Sequence, residues 1–494
     1  MFETLERVDG ARRVFTPQIA VQHKAELGQF MTPASIARFM ASLFPASTLQ
    51  TSRLLDAGAG MGALTAAFLE RWAADGFGFA HVEACAYEID ADMRRYLAQT
   101  LAGFAGRVDV RTEIRSADFI EDAAELCRQP HRVGFTHAIL NPPYKKINTS
   151  STHRHLLRTA GIETVNLYSA FVALAVALAA PGGQIVAIIP RSFCNGPYYR
   201  PFREFVMARA ALRHMHLFAS RSKAFKDDDV LQENIIIRLE REGRQGEVTV
   251  STSTDDTFTD LVSHEYPFRR IVLPDDAERF IHVPTTPERA AIEIAPSIRF
   301  SLADLGVKVS TGPVVDFRVR EHVRAMPQAG TVPLLYSGHF IDGGTEWPQP
   351  GMKKPNAIER NAATEKWLYP NGSYCVVRRF SSKEERRRIV ASVVDPAAFD
   401  GAPMLGFENH LNVFHADKHG LPKALAAGLA AFLNTTAVDD YFRGFNGHTQ
   451  VNATDLKQMK YPSRDALMAL GEWAMRRDTL DQAAIDKHFG TLIA

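Results

Sequence analysis

Cysteine is scarce. The chain has 494 residues and only four cysteines (Cys85, Cys127, Cys194 and Cys375), none in a C-x-x-C pair. That scatter excludes a disulfide framework and a zinc ribbon, and it fits a reducing, cytoplasmic setting with no bound metal. Long apolar runs are missing too. The longest, Ala170 to Ala180, is too short to span a bilayer and leads into Pro181-Gly182-Gly183. The N-terminus, MFETLERVDGARR, lacks the apolar core of a signal peptide, so no membrane partner is expected. Neither sign of charge dominates. With 57 Lys and Arg against 56 Asp and Glu, any polyanion must be met by local basic patches. No repeat and no low-complexity tail is visible. What is present is an ordinary globular composition, long enough for two or three domains.

Residues 50–240 alternate strand-like and helical patterns. Strands are predicted at Arg53–Ala57, Val82–Tyr87, Val108–Thr112, Phe135–Leu140, Gln184–Ile189, Leu212–Leu217 and Glu233–Leu239, with helices such as Ala63–Ala74 and Leu167–Ala180 between them. Such alternation implies a doubly wound α/β sheet. The polar, turn-rich stretch after 240 reads as a connector with some β structure. From about 301 the chain is mixed α+β. The expected division is 1–245, a connector at 246–300, and 301–494.

Chemistry-bearing residues fall at four successive strand ends. The first strand runs into Asp56-Ala57-Gly58-Ala59-Gly60, where Gly58 and Gly60 permit a tight turn and close backbone approach to a ligand. A turn without a ligand would read the same way. The second ends at Glu88-Ile89, and an acid there can accept from both hydroxyls of a ribose. The third is followed by Asp118-Phe119, an acceptor for an adenine amino group beside a cover for its ring face. Each acid, taken singly, is as well explained as a charged strand end. All four ends would open onto the carboxyl edge of one sheet, where α/β folds bind ligands. An acidic pocket suits a cationic cofactor, such as a sulfonium. Upstream, Thr32 reads as a helix N-cap and Pro33 as the first helical residue, with nearby amides available to a carboxylate.

The fourth strand ends at Asn141-Pro142-Pro143-Tyr144. An amine conjugated to a purine ring is a poor nucleophile. Acceptors on the Asn141 side chain and the Pro142 carbonyl can bind its two hydrogens and release its lone pair. The two prolines hold those acceptors rigid, and the Tyr144 ring can stack on the base.

This order of motifs resembles the N6-adenine DNA methyltransferases of restriction–modification systems, gamma class, of the TaqI and PstI types. The resemblance covers residues 24–240 and reaches the stretch Gly447–Leu456. It implies a Rossmann-like methyltransferase domain with a mixed, mostly parallel seven-stranded sheet, followed by an α+β target-recognition domain. It implies S-adenosylmethionine as cofactor: Thr32 at the methionyl carboxylate, Asp56 and Ala57 beside the methionine, Glu88 on ribose, Asp118 and Phe119 on adenine. Asn141, Pro142 and Tyr144 would hold a flipped adenine in double-stranded DNA. A second stacking face would come from Phe225 or Val230. The chain would act as a monomer, with any cognate restriction endonuclease a separate protein.

For DNA contact the sequence offers Lys145, Lys146, Arg154 and Arg158 after the tetrapeptide, then Arg191 and the 198–203 stretch. Farther on come Arg318, Arg320 and Arg324, then Arg378, Arg379 and Arg386-Arg387-Arg388. His448, Gln450 and Asn452 are candidates near the bases. Charge runs are also simply solvated helix faces. Two rival readings share the motifs: a methyltransferase for a protein glutamine amide or RNA, and a non-catalytic homologue that only binds DNA.

Overall fold

A computed structural model describes residues 3–15, 31–106, 109–129, 133–219, 233–274, 276–284, 295–341, 343–381, 385–446, 450–477 and 480–493. The chain divides into two compact units, Met1–Pro287 and Glu288–Ala494.

The first unit opens with helices α1 (Glu3–Phe15) and α2 (Ala34–Ser42). There follow β1 (Thr51–Ala57), α3 (Ala63–Ala73), β2 (His81–Tyr87), α4 (Ala91–Ala102), β3 (Val110–Arg115), α5 (Phe119–Leu126) and β4 (Phe135–Leu140). Next come α6 (Thr152–Thr159), α7 (Leu167–Leu178), β5 (Ala179–Pro190), α8 (Arg200–Met207), β6 (Ala210–Phe218) and β7 (Asn234–Arg241). The sheet order is β3-β2-β1-β4-β5-β7-β6, then two further strands, β8 (Val248–Ser253) and β9 (Val262–Tyr266). Strands β3 to β5 run parallel, and β7 is wedged antiparallel between β5 and β6. Successive strand residues point to opposite faces. Leu54, Ile139 and Ile188 join α2, α3 and α4 on one side; Leu55, Leu140 and Ile189 join α5, α7 and α8 on the other. Because the order reverses at β1, the crevice between β1 and β4 opens at their carboxyl ends.

The sheet thus has nine strands where seven were expected, and residues 248–266 belong to it instead of forming a connector. The sequence VTVSTS of β8 looks too polar for a covered strand. Its serines are buried because histidines of β6 engage them: His216 Nδ1 lies 2.9 Å from Ser251 Oγ, His214 Nε2 2.8 Å from the same oxygen, and Ser253 Oγ 3.2 Å from His216 Nε2. Burial holds both imidazoles neutral, their pKa values pushed down to about 4 for His214 and about 3 for His216.

The second unit is α+β. A four-stranded sheet orders Lys308–Thr311, Leu411–His415, Tyr374–Arg378 and Ala391–Val394. A five-stranded sheet orders Val323–Arg324, Ala357–Glu359, Thr331–Leu335, Met404–Phe407 and Leu368–Pro370. Helices Lys423–Leu433 and Arg464–Met475 pack on each other unusually closely. A Cβ at Gly428 would lie 1.8 Å from the Leu467 carbonyl oxygen, and one at Gly471 1.8 Å from that of Ala424.

Candidate active site

A cavity of about 270 Å³ lies at the carboxyl ends of β1 to β4. Among the expected residues, Thr32, Gly58, Gly60, Glu88, Ile89, Asp118, Phe119, Asn141, Pro143 and Lys145 line it. Pro33, Asp56, Ala57, Pro142 and Tyr144 do not form its wall.

The glycine turn is shaped for a ligand. Gly58 and Gly60 have φ of +78° and +55°, a region that disfavours side chains. A Cβ on Gly60 would meet nothing within 4 Å, and one on Gly58 only Phe171, the Asn141 carbonyl and Pro143 at 3.8 to 3.9 Å. The turn is pinned to β2, with the amides of Gly58 and Ala59 both donating to the Tyr87 carbonyl. Glu88 braces it from below: Oε2 accepts from the Gly60 amide and Oε1 from the Asp90 amide, each at 2.8 Å. Burial raises the Glu88 pKa, against the pull of those two amides. A carboxylate oxygen can accept more than one hydrogen bond.

Asp118 serves two purposes. Oδ1 caps α5 by accepting from the amides of Ile120 and Glu121. Oδ2 lies 3.1 Å from His153 Nε2. Burial pushes the Asp118 carboxyl up, but the His153 hydrogen bond and charge outweigh it and the net shift is downward. The Asp118 hydrogen bond in turn raises the His153 pKa.

At the end of β4 the Asn141 carboxamide is held at both ends. Nδ2 donates to Thr32 Oγ1 at 3.0 Å, and Oδ1 accepts from the Tyr144 hydroxyl at 3.1 Å. That hydroxyl also reaches the Ile188 carbonyl at 3.4 Å, and burial pushes its pKa well up. Thr32 is therefore no helix cap. Pro33, extended at φ −60° and ψ 152°, takes the cap position of α2 without a side-chain bond. The Thr32 oxygen faces Asn141 instead. Tyr144, expected to offer its ring face, here points its hydroxyl at the asparagine.

Asp56, expected beside the ligand, turns into the protein. Oδ2 accepts from the Thr65 amide at 3.2 Å and hydroxyl at 2.6 Å, while Oδ1 is buried with no hydrogen-bond partner. Burial, with the nearby Glu88 adding, pushes its pKa up to about 7.

These residues fit a nucleoside-containing sulfonium. The turn has room where side chains would stand, two carboxylates follow β2 and β3, and Phe119 and Phe171 supply ring faces.

The whole chain aligns with the type II methyltransferase M.BsuBI of Bacillus subtilis, 54% identical over 100% of this chain and 99% of that protein. The type II methyltransferase M.PstI of Providencia stuartii is 42% identical over 93% of this chain and 92% of its own length. The chain belongs to the type II DNA methyltransferases. Residues 95–225 of this methyltransferase also match the Eco57I restriction-modification methylase family. The fold extends to the type IIL restriction-modification enzyme MmeI, solved in complex with DNA (TM-score 0.52, 10% identity, 99% of this chain and 73% of that one). S-adenosylmethionine is the cofactor of this methyltransferase, and the readings as a glutamine-amide or RNA methyltransferase fall away.

Several cations expected on the methyltransferase's DNA surface are differently placed. Arg154 is buried on α6 and paired with Glu163, which Arg158 also meets at 2.8 Å. Arg191 is buried against Glu233, and Arg203 bonds the carbonyls of Phe193, Gly196 and Glu278. Arg388 is a core residue bonded to Ser381 and Asn446. Arg378 and Arg324 do stay partly exposed, while pairing with Glu385 and Glu359. Arg379 donates to the Asn409 carbonyl at 3.1 Å and to Gln450 Oε1 at 3.4 Å, so these two predicted contacts are neighbours. Asn452 caps helix Ala453–Gln458 in a capping box with Asp455. Lys145 and Lys146 are exposed. His448, Phe225 and Val230 lie outside the described residues.

Sequence reasoning missed Val8, Arg12, Met31, Met61, Met93, His153 and Phe171 on the cavity wall. A helix from 152 was available in the signal of Ser151, an N-cap accepting from the Arg154 amide, followed by Leu156-Leu157. Nothing local in α1 announces that its residues reach the strand ends.

Proposed function

We propose that this methyltransferase modifies the exocyclic N6 of a specific adenine in duplex DNA, after the base is rotated out of the helix, and so protects the site from a separate restriction endonuclease. The observation that carries this reading is the Asn141 carboxamide, fixed between Thr32 and Tyr144 at the edge of the cofactor cavity. Its Oδ1 has a second lone pair for one N6 hydrogen. The Pro142 carbonyl takes the other. Together they turn the nitrogen lone pair out of conjugation and toward the donor, so catalysis comes from positioning and fixed dipoles. S-adenosylmethionine, when bound, supplies an electrophilic methyl group on a positively charged sulfur. Glu88 holds the ribose, Asp118 and Phe119 the cofactor's adenine, Gly58 and Gly60 give it room, and Ile89 lies beside it. The second unit acts as the target-recognition domain, with Arg378, Arg379 and Gln450 among its contacts, joined by Lys145 and Lys146. The enzyme works as a monomer, one strand at a time.

The test is single-molecule sequencing of DNA from a methylation-free host expressing the chain. N6-methyladenine in one sequence context is expected. Asn141→Ala should lower methyl transfer by at least about 100-fold, the loss seen when a preorganised polar contact is removed. Cofactor binding by calorimetry should stay within a few fold. Methylcytosine in the reads, or near-normal transfer by the variant, would overturn the reading.

A further inference from the structure

Helix α1 contributes to the cofactor cavity through a charged residue with no assigned purpose. Its buried positions Leu5, Val8, Asp9 and Arg12 share one face. Val8 packs with Met61 of the glycine turn, Met93 and Met31. One turn on, Arg12 is only 3% exposed, yet it lines the cavity beside Val8, Met31 and Thr32. A guanidinium is not buried at a ligand site without ionic partners. Asp9 supplies one of these: its Oδ1 lies 2.8 Å from Arg12 Nε and also accepts from the Ala34 amide at 3.3 Å. Arg13 meets the other oxygen of the same carboxylate at 2.8 Å. The charge that Arg12 brings is thus met by a carboxylate that also serves a second guanidinium group.

Position decides what that charge is for. The cavity's carboxylates, Glu88 and Asp118, follow β2 and β3, on one side of β1 in the sheet. Helix α1 packs along that same side, with Val8 against Met93 and Phe15 against Tyr96 of α4, but Arg12 shares the cavity wall with Thr32. Asp9 ties it to Ala34, two residues from Thr32, and Thr32 is bonded to Asn141 at the end of β4. The cofactor has one anionic group, the carboxylate of its methionine part. We propose that Arg12 binds this carboxylate, with Thr32 donating its hydroxyl proton to the same group, so that α1 closes the amino-acid end of the cavity. A guanidinium suits the task, because its planar fork matches a carboxylate. The proposal rests on the methyltransferase reading and adds to it the residue that recognises the amino-acid end.

Calorimetry on the full chain tests it, using S-adenosylmethionine and its decarboxylated analogue, which differ only in the carboxylate. Arg12→Gln should weaken S-adenosylmethionine by about 10- to 100-fold, the range of a lost charge-assisted hydrogen bond. It should leave the analogue unchanged, which also reports that the variant is folded. Arg12→Lys, which keeps the charge, should lose less and only toward the carboxylated ligand. Equal weakening toward both ligands, in either variant, would assign Arg12 a purely structural part and overturn the proposal. So would unchanged binding of both. A wild-type chain that binds neither ligand would overturn the methyltransferase reading along with it.

Discussion

Among single residues, Asp56 carries a consequence for stability. It is buried at the end of β1, and burial pushes its carboxyl pKa up to about 7 from an ordinary value near 3.8. The folded state therefore keeps a proton that the unfolded chain gives up. Stability from this group is fully present below about pH 4 and is lost as pH rises toward 7. Asp56→Asn removes the titration and keeps an acceptor for Thr65. The melting temperature of the variant relative to wild type should therefore rise between pH 5 and pH 8, by the equivalent of a few kcal/mol at most. A difference that stays constant across that range would show that Asp56 ionises normally in the folded protein. Arg154 and Arg388 teach a related lesson. Each reads as a surface cation, because a charge run says nothing about which carboxylate or amide will fold against it. Glu163 is nine residues from Arg154, and Asn446 is 58 from Arg388.

At the level of elements, most of the strands β1 to β7 were legible as apolar runs bounded by turn residues, the polar β3 (VRTEIR) excepted. Phe135–Leu140 has the predicted limits, and Val110–Arg115 begins two residues beyond the predicted start. Strand β8 was not legible. Its burial depends on His214 and His216, more than thirty residues away, and the pattern of hydrophobicity cannot report such pairing. The order of the cofactor-facing strand ends was legible for the same reason as the strands. The contribution of α1 was not, since it is purely tertiary. The crossing of Lys423–Leu433 with Arg464–Met475 shows how a helix pair can depend on the absence of a side chain. Gly428→Ala would drive a methyl group into the Leu467 carbonyl, and backbone must move to admit it. A loss of about 2–4 kcal/mol in denaturant unfolding is expected. Gly490→Ala, in helix Gln482–Ile493 where a Cβ meets nothing within 4 Å, should be neutral or gain up to about 1 kcal/mol. Equal effects at the two sites would remove the steric explanation.

For the molecule as a whole, the boundary between units matters most. Composition suggested an end to the first unit near 245, whereas the compact unit runs to Pro287. A shortened chain ending at 245 would lose β8 and β9. It would strip Ser251 and Ser253 from two neutral, desolvated imidazoles and leave β6 as an unprotected edge. Such a chain should be recovered as aggregate, while one ending at 287 should unfold cooperatively and bind S-adenosylhomocysteine. Comparable solubility and melting of the two would contradict this.

That extra pair of strands also marks where nature or an engineer can splice. Hybrids that trade the C-terminal half between relatives should be viable when the seam falls after the ninth strand. A crossover inside the histidine–serine ladder would match donors from one parent with acceptors from another, and would be tolerated only where both parents carry the same pair.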